Sequence, residues 1–287
     1  MQTQTPQGIP LQVDELVAKA GAENFPVASR LLPRAIRGHL LSTYAYARLI
    51  DDIGDLAAGD RLAQLDWAEA QLRHALSGEP APAVFGNVAH CVRAIGLSEA
   101  PYLALIEANR MDQRVTRYAS YAELERYCSL SANPIGRIVL AIFSVHDVET
   151  DRLSDQICTG LQLVEHWQDV AEDYHAGRVY LPLEDLQRFS VPESDLGEAQ
   201  ASAALRRLLA FETNRARALI ESGRPLLGHL PLTGRVAIAG FIGGGLAQIA
   251  RIETLGFDTL AHRAKASKSA VLGYSARTLL PPMGSAA

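Results

Sequence analysis

The sequence predicts an all-α fold, a helical bundle in one domain around a central cavity. Three observations point there: apolar residues recur at helical spacing along most of the 287 residues, helix-start and helix-stop residues punctuate them, and no β-branched runs alternate with them as a parallel sheet requires. A composition of 48% hydrophobic and 21% charged residues is that of a globular chain with a substantial core. No Ser/Gly linker or charge run divides the sequence, so a single domain over 1–287 is expected, with 1–20 and 275–287 peripheral or flexible.

The elements follow in order. Arg34 to Leu56 reads as a first long helix, at roughly 1.5 Å per residue long enough to span a domain. Asp60 caps a helix that runs to Leu76 with Gly78 after it; Gly96 stops another, and Ser98 to Pro101 start the next. Ser120 and Glu123 form a capping box opening a segment through Tyr127. Beyond it, Pro134 removes a backbone donor and Gly136 loosens the chain, so a kink or break is expected near Asn133, either turning freed carbonyls to the cavity or simply kinking a core helix. Asp151 to Ala176 is the second long helix, ended by Gly177, after which a short loop with Arg178 and Tyr180 reads either as a mobile lid or as an ordinary connection with a surface arginine. Val236 to Ala250, uncharged between Arg235 and Arg251, is a buried core helix whose Gly240, Gly243, Gly244 and Gly245 allow close packing. It falls short of the roughly 20 residues that cross a bilayer. No strand precedes its glycines and no Gly-Lys-Ser/Thr follows, so it is not a phosphate loop.

Several function classes are disfavoured. A net charge of -5 without a basic patch interleaved with aromatics argues against nucleic acid. Cys91, Cys128 and Cys158 are odd in number and far apart, which argues against a disulfide framework or zinc site and for a reducing, cytoplasmic setting; no secretory signal opens the chain. Glu172 and His175 make one Glu-x-x-His, whereas a di-iron bundle needs two. Arg263, Lys265 and Lys268 form a small basic end, read as a solvated helix end or as weak contact with diphosphate or anionic lipid.

The chemistry lies in two acidic clusters, Asp51-Asp52-Ile53-Gly54-Asp55 and Asp169-Val170-Ala171-Glu172-Asp173. Each sets aspartates one helical turn apart, where like charges cost an isolated helix about 0.2–0.5 kcal/mol, so two such pairs need a reason. A divalent cation supplies it: magnesium binds through one or two carboxylates and shares its other positions with water and phosphate. Tyr44, Arg48, Asp51 and Asp55 form one stripe, and Gln162, Glu165, Asp169 and Asp173 another. Together they predict a magnesium site facing a diphosphate if the two helices pack side by side.

The run Glu23-Asn24-Phe25-Pro26-Val27-Ala28-Ser29 with Leu31-Leu32-Pro33, followed by Tyr44-Ala45-Tyr46-Ala47-Arg48-Leu49-Ile50-Asp51-Asp52-Ile53-Gly54-Asp55, resembles the squalene and phytoene synthase family. The resemblance continues through Tyr127 to Gly136 and Gln162 to Pro182, ends in a weaker match around Gly243 to Lys268, and so covers nearly the whole chain. Ser131-Ala132-Asn133-Pro134-Ile135-Gly136-Arg137 and Trp167-Gln168-Asp169-Val170 with Gly177-Arg178-Val179-Tyr180-Leu181-Pro182 are most similar to the bacterial hopanoid-pathway hydroxysqualene synthase branch.

That resemblance implies an isoprenoid synthase-type bundle that turns presqualene diphosphate and water into hydroxysqualene and diphosphate. It implies about two or three Mg2+ ions bound with the substrate diphosphate, and no NADPH. By the same resemblance Asp51, Asp55, Asp169 and Asp173, with Asp52 as a fifth candidate, hold metal. Arg48 and Tyr44 serve the diphosphate, and Gln162, Glu165, Tyr127, Ser131, Ala132, Asn133 and Arg178 bind substrate. Phe25, Tyr46, Tyr127, Phe143 and Phe241 are candidate aromatic walls, and Ser131, Asn133, Glu165 and His166 are candidates for placing the water. The family usually has asparagine where Glu165 stands and arginine where Gln168 stands, so this site is more anionic: metal is held more tightly, or Glu165 has a raised pKa or another role. The alternatives are a prenyltransferase joining two farnesyl diphosphates into presqualene diphosphate or squalene, and a non-catalytic partner subunit. Apolar substrates imply peripheral contact with the inner face of a membrane and transfer from a presqualene diphosphate synthase.

Overall fold

The computed structural model describes residues 11–18 and 32–280. The Glu23–Ser29 run and Phe25 lie outside the described residues. Among the described residues every named element is helical; the nearest thing to a strand is a single bridge between Arg117 and Val179. Helix punctuation acts where the sequence places it. Asp60 accepts the Ala63 N–H at the start of α3 (Arg61–Ser77), and Gly78 closes that helix in the left-handed conformation, as Gly96 closes α4 (Ala83–Ile95). The capping box differs in one bond. Ser120 accepts from the Glu123 N–H as expected, but Glu123 reaches past it to the Ala119 N–H.

The described chain falls into two compact units, one with the residues up to Val115 and Leu130–Asp147, the other with Thr116–Ser129 and the residues from Val148 onward. In the first unit α2 (Arg34–Asp55) is the central element, packed by α1 (Val13–Ala18), α3, α4, α5 (Ala100–Asp112) and α7 (Asn133–Ile142). The buried stripe Tyr46, Leu49, Ile50 and Ile53 repeats at three and four residues and forms the side α2 gives to this core. Tyr46, proposed above as a cavity wall, belongs to it. Its hydroxyl donates to the Tyr102 carbonyl at 2.9 Å, and its ring meets Phe85 and Tyr102 edge-on.

The second unit contains most of α6 (Tyr121–Ser131), then α8 (Val148–Gln168), α9 (Val170–His175), α10 (Leu183–Arg188), α11 (Ala203–Gly223), α12 (Leu232–Thr254) and α13 (Lys268–Leu279). Glycines set its helix spacings. A Cβ at Gly160 would overlap the Ala216 carbonyl and Ile220 of α11, one at Gly245 would overlap Leu161 of α8, and one at Gly243 would overlap the Ser275 backbone of α13. By length and apolarity α12 passes as a membrane span, yet 61% of its apolar window is buried within the protein, which agrees with a core helix.

The second long helix is a correction. One helix over Asp151–Ala176 was expected; the structure breaks it at Asp169, whose φ of -102° and ψ of 18° fall in the sparsely populated bridge region where many active-site residues sit. No proline or glycine marks the break in the sequence. The expected interruption near Asn133 is present, with α6 ending at Ser131 and α7 beginning at Asn133, but the Ala132 carbonyl accepts locally from the Ile135 N–H.

Unit two also holds a buried polar network. Arg215 Nη1 donates to both Glu212 carboxylate oxygens at 2.9 and 2.8 Å and to Asp185 Oδ2 at 3.1 Å, while its guanidinium lies 4.2 Å over the Tyr121 ring. One cation faces two carboxylates away from water. Burial, with Asp185 beside it, pushes the Glu212 carboxyl up to about 8 against the pull of Arg215.

Two outcomes are expected. Gly243→Ala forces α13 off α12 and lowers stability by about 1–3 kcal/mol in chemical denaturation. Gly86→Ala, with open space around the same position of α4, changes it by less than about 1 kcal/mol or stabilises. Folded Glu212 keeps a proton that an unfolded glutamate, with its ordinary value near ~4.3, has already lost. Stability therefore falls as pH rises from about 4.5 to about 8 and levels off above that, and Glu212→Gln flattens that fall; urea midpoints across the window check it.

Candidate active site

The first acidic cluster ends α2. Asp51 and Asp55 lie one turn apart, exposed, on a face distinct from the apolar stripe. Asp51 touches solvent, but protein is crowded around it, and desolvation pushes its carboxyl up to about 6. A hydrogen bond from Asn109 and the charge of Arg48 pull the other way, while Asp55 and Asp112 push it further up. Solvent access combined with strong desolvation is the mark of a recessed carboxylate rather than one on a convex surface.

Support for this cluster comes from α5. Asn109 Nδ2 donates to Asp51 Oδ1 at 3.1 Å and to the Leu105 carbonyl at 3.2 Å; one turn on, Gln113 Nε2 donates to the Gly54 carbonyl at 3.0 Å. A side chain at position 54 would overlap the Asn109 amide, so the glycine inside the acidic motif is what lets α5 reach Asp51. The sequence reading missed Asn109 and Gln113, which carry no motif of their own. Their signal is a helical step of four alongside Leu105, visible only once α5 is known to lie against α2.

Asp52 corrects an expectation. It is 1% exposed and ion-paired with Arg48 Nη2 at 2.8 Å, so it is not presented with the Asp51–Asp55 pair as a further metal ligand. One residue along a helix turns the side chain by about 100°. Tyr44 lies one turn before Arg48 on α2 and is half-buried. In the same unit Ala132 is half-buried at the α6–α7 break, Asn133 is buried, and the Ser131 hydroxyl is buried without a hydrogen-bond partner, as a ligand-facing group would be.

The second cluster straddles the α8–α9 break. Gln162 and Glu165 are on α8, Asp169 is at the break, and Asp173 is on α9, its N–H donating to the Asp169 carbonyl at 2.8 Å. Burial raises the Asp169 carboxyl and Glu172 adds to it, while Arg263 of the basic end draws it down. Arg263 is exposed, and its charge reaches Asp169.

Gly177 then closes α9 with a φ of 87°, its N–H donating to the Tyr174 carbonyl while the Arg178 N–H donates to the Asp173 carbonyl at 2.8 Å. This is a Schellman cap, and it plants Arg178 beside Asp173 for purely local reasons. Of the two readings of this segment, its contacts favour the fixed connection over the lid. Val179 N–H donates to the Thr116 carbonyl at 2.9 Å, Arg117 ties the Gly177 carbonyl and Glu193, and Val179, Tyr180 and Leu181 are buried. Beneath it is an aromatic cluster of Tyr118, Tyr127, Tyr180 and His166. Of these, Tyr127 was expected as a cavity wall and His166 as a candidate for placing the water; Tyr118 was not expected. Burial, with Arg178 nearby, draws the His166 imidazole down to about 3, so it is neutral at physiological pH.

Residues 18–270 match the squalene/phytoene synthase family. The chain belongs to that family. Its relatives include the hydroxysqualene synthase of Rhodopseudomonas palustris, 36% identical over 215 residues that cover 72% of this chain and 71% of the relative. The phytoene synthase of Mycobacterium tuberculosis is 31% identical over 246 residues, 84% of this chain and 81% of its own. Among solved structures, squalene synthase HpnC from Alicyclobacillus acidocaldarius superposes with a TM-score of 0.80 at 40% identity, covering 86% of this chain and 94% of that one. A dehydrosqualene synthase in complex with ligand gives 0.84 at 22% identity over 93% of each chain, a likeness of fold. As a squalene/phytoene synthase family enzyme the protein acts on isoprenoid diphosphates, and the family typically uses Mg2+ with such substrates.

The residues fit that ion in a particular way. Among the described residues no three His, Cys, Asp or Glu side chains form a ready-made metal cage. What the chain offers instead is carboxylate pairs: Asp51 with Asp55, and Asp169 with Asp173. Burial raises the pKa of one member of each pair, so each has electrostatic cause to accept a cation. Paired carboxylates suit an ion that keeps water and takes substrate phosphate into its shell.

Asn109→Ala removes a donor from Asp51. In the metal-free protein its pKa is expected to climb above about 6, read by NMR of labelled carboxyls, and magnesium affinity in the presence of diphosphate to fall about 10-fold.

Proposed function

We propose that this enzyme ionises presqualene diphosphate and captures the resulting cation with water, giving hydroxysqualene and diphosphate. The observation that carries the reading is the pairing of two aspartates one turn apart in each of two acidic clusters, in a chain 36% identical to a hydroxysqualene synthase. In this reading the two clusters serve the same diphosphate. Asp51, Asp55, Asp169 and Asp173 hold the metal. Bound Mg2+ supplies Lewis-acid stabilisation of the charge that develops on the departing diphosphate. Arg48, Tyr44 and Arg178 donate to its oxygens from fixed positions, which costs no reorganisation when the bond breaks. Gln162, Glu165, Tyr127, Ser131, Ala132 and Asn133 border the chain of the substrate, keeping bulk water from the cation until it has rearranged. The carbon–oxygen bond breaks with its electron pair leaving on diphosphate; one water then bonds carbon and gives its proton to the released diphosphate. No hydride donor enters, so NADPH has no part. The setting is cytoplasmic, with peripheral contact at the inner membrane face where the apolar substrate is handed over by a presqualene diphosphate synthase.

A second reading is supported by two relatives with other names, the squalene synthase HpnC structure, which covers 86% of this chain, and the phytoene synthase, which covers 84%. It is head-to-head condensation of two farnesyl diphosphates to presqualene diphosphate or squalene. One experiment separates them. The protein is incubated with magnesium and either farnesyl or presqualene diphosphate, without nicotinamide, and the lipid is identified by mass. Hydroxysqualene from presqualene diphosphate alone is the expected result; a C30 diphosphate from farnesyl diphosphate would establish the second reading instead. Asp51→Asn and Asp169→Asn each lower turnover by about 100-fold or more, and the double variant falls well short of the product of the two, because both act on one leaving group. A non-catalytic partner subunit would lose nothing in either variant.

A further inference from the structure

His166 follows Glu165 on α8 and is 7% exposed. It is fixed on every side. Its ring stacks on Tyr180 with centroids 3.7 Å apart and planes 16° apart, and Tyr127 leans on it at 6.1 Å. One edge meets Gln162, whose amide nitrogen lies 3.2 Å from Nε2. An amide nitrogen only donates, so Nε2 accepts and the single proton of the neutral ring is on Nδ1. On the other edge Nδ1 lies 3.9 Å from Asp173 Oδ2. His166, Asp173 and Arg178 also wall a cavity of about 10 Å³, bounded behind by Val170 and Leu196, which is the room one water needs. A polar pair separated by this much is joined by a bridging water or by a small approach of the carboxylate.

We propose that His166 is a positioning residue that holds the Asp173 carboxylate through its Nδ1–H, directly or through one water in the Arg178 cavity, while its Nε2 fixes Gln162. It thereby couples a metal-binding side chain to a substrate-binding one across a single rigid ring. The proposal rests on the reading above only in taking Asp173 as a metal ligand. A donor behind a ligating carboxylate sets which lone pair faces the ion, and the loss of such a partner typically costs 10–100-fold in metal affinity.

The test uses the full chain, with magnesium binding in the presence of inorganic diphosphate measured by calorimetry and folding by thermal melting. His166→Phe keeps the stack on Tyr180 but has no N–H; it is expected to melt as the wild type does and to bind magnesium about 10-fold or more weakly. His166→Asn places an N–H where Nδ1 stood and is expected to recover affinity to within about threefold of wild type, whereas His166→Gln, which reaches the Nε2 position, is not. Binding by His166→Phe as tight as wild type, or His166→Asn no better than His166→Gln, would overturn the proposal; the Asn and Gln pair decides it if the Phe variant does not fold. Product analysis of the wild type runs alongside. If it makes something other than hydroxysqualene while the binding pattern holds, the substrate assignment fails and the role of His166 stands.

Discussion

Carboxylates of like charge, one turn apart on a helix and partly withdrawn from water, repel each other, and the surrounding protein must tolerate that repulsion until a cation arrives. The first unit tolerates it by anchoring α2 through its opposite face. Tyr46, Leu49, Ile50 and Ile53 are fully buried, so the helix cannot roll to relieve Asp51 and Asp55. Asn109 offers Asp51 a donor without offering it a charge, which leaves the carboxyl raised yet satisfied. A nearby lysine or arginine in its place would neutralise the site and weaken its demand for metal. Arg48 gives one nitrogen to the buried Asp52, so the guanidinium is oriented by a neighbour that cannot leave.

The second unit meets the same constraint by a different route. Its acidic residues lie on either side of a helix break, and the Schellman turn after Asp173 brings Arg178 back over the carbonyl of that residue. The aromatic cluster beneath keeps the segment in place, and the bonds to Thr116 and Arg117 close off the motion a lid would need. Fixed donors and a buried neutral imidazole favour preorganisation over gating at this cluster. The Asp185–Arg215–Glu212 network shows the cost of doing otherwise: two carboxylates share one cation there, and Glu212 responds by keeping its proton into the alkaline range.

Much of this was legible in the residues because it is local. Helix starts at Asp60 and Ser120, stops at Gly78, Gly96 and Gly177, and the interruption before Asn133 depend on backbone chemistry within a few positions, and all are found. The glycines of α12 announced close packing, although which helices they admit did not follow from the sequence. Other features depend on residues remote in the chain and had no local mark. Asn109 supports Asp51 from 58 positions away, and Arg117 holds Glu193 from 76. The break at Asp169 has neither proline nor glycine to signal it.

By itself, then, the sequence determined the helical class and the two stripes that carry carboxylates, because a period of 3.6 residues assigns side chains to faces without knowledge of any partner. It also carried the motifs that assign the family. Tertiary structure decided which aspartates face outward and which are spent on an ion pair, as Asp52 shows, since that depends on what packs against each face of α2. It decided as well that Tyr46 is core, that the Arg178 segment is pinned, and that the His166 ring lies between Gln162 and Asp173. Burial and hydrogen bonding are properties of neighbours in space, and the same side chain becomes a ligand, a brace or a packing element according to which neighbours the fold supplies.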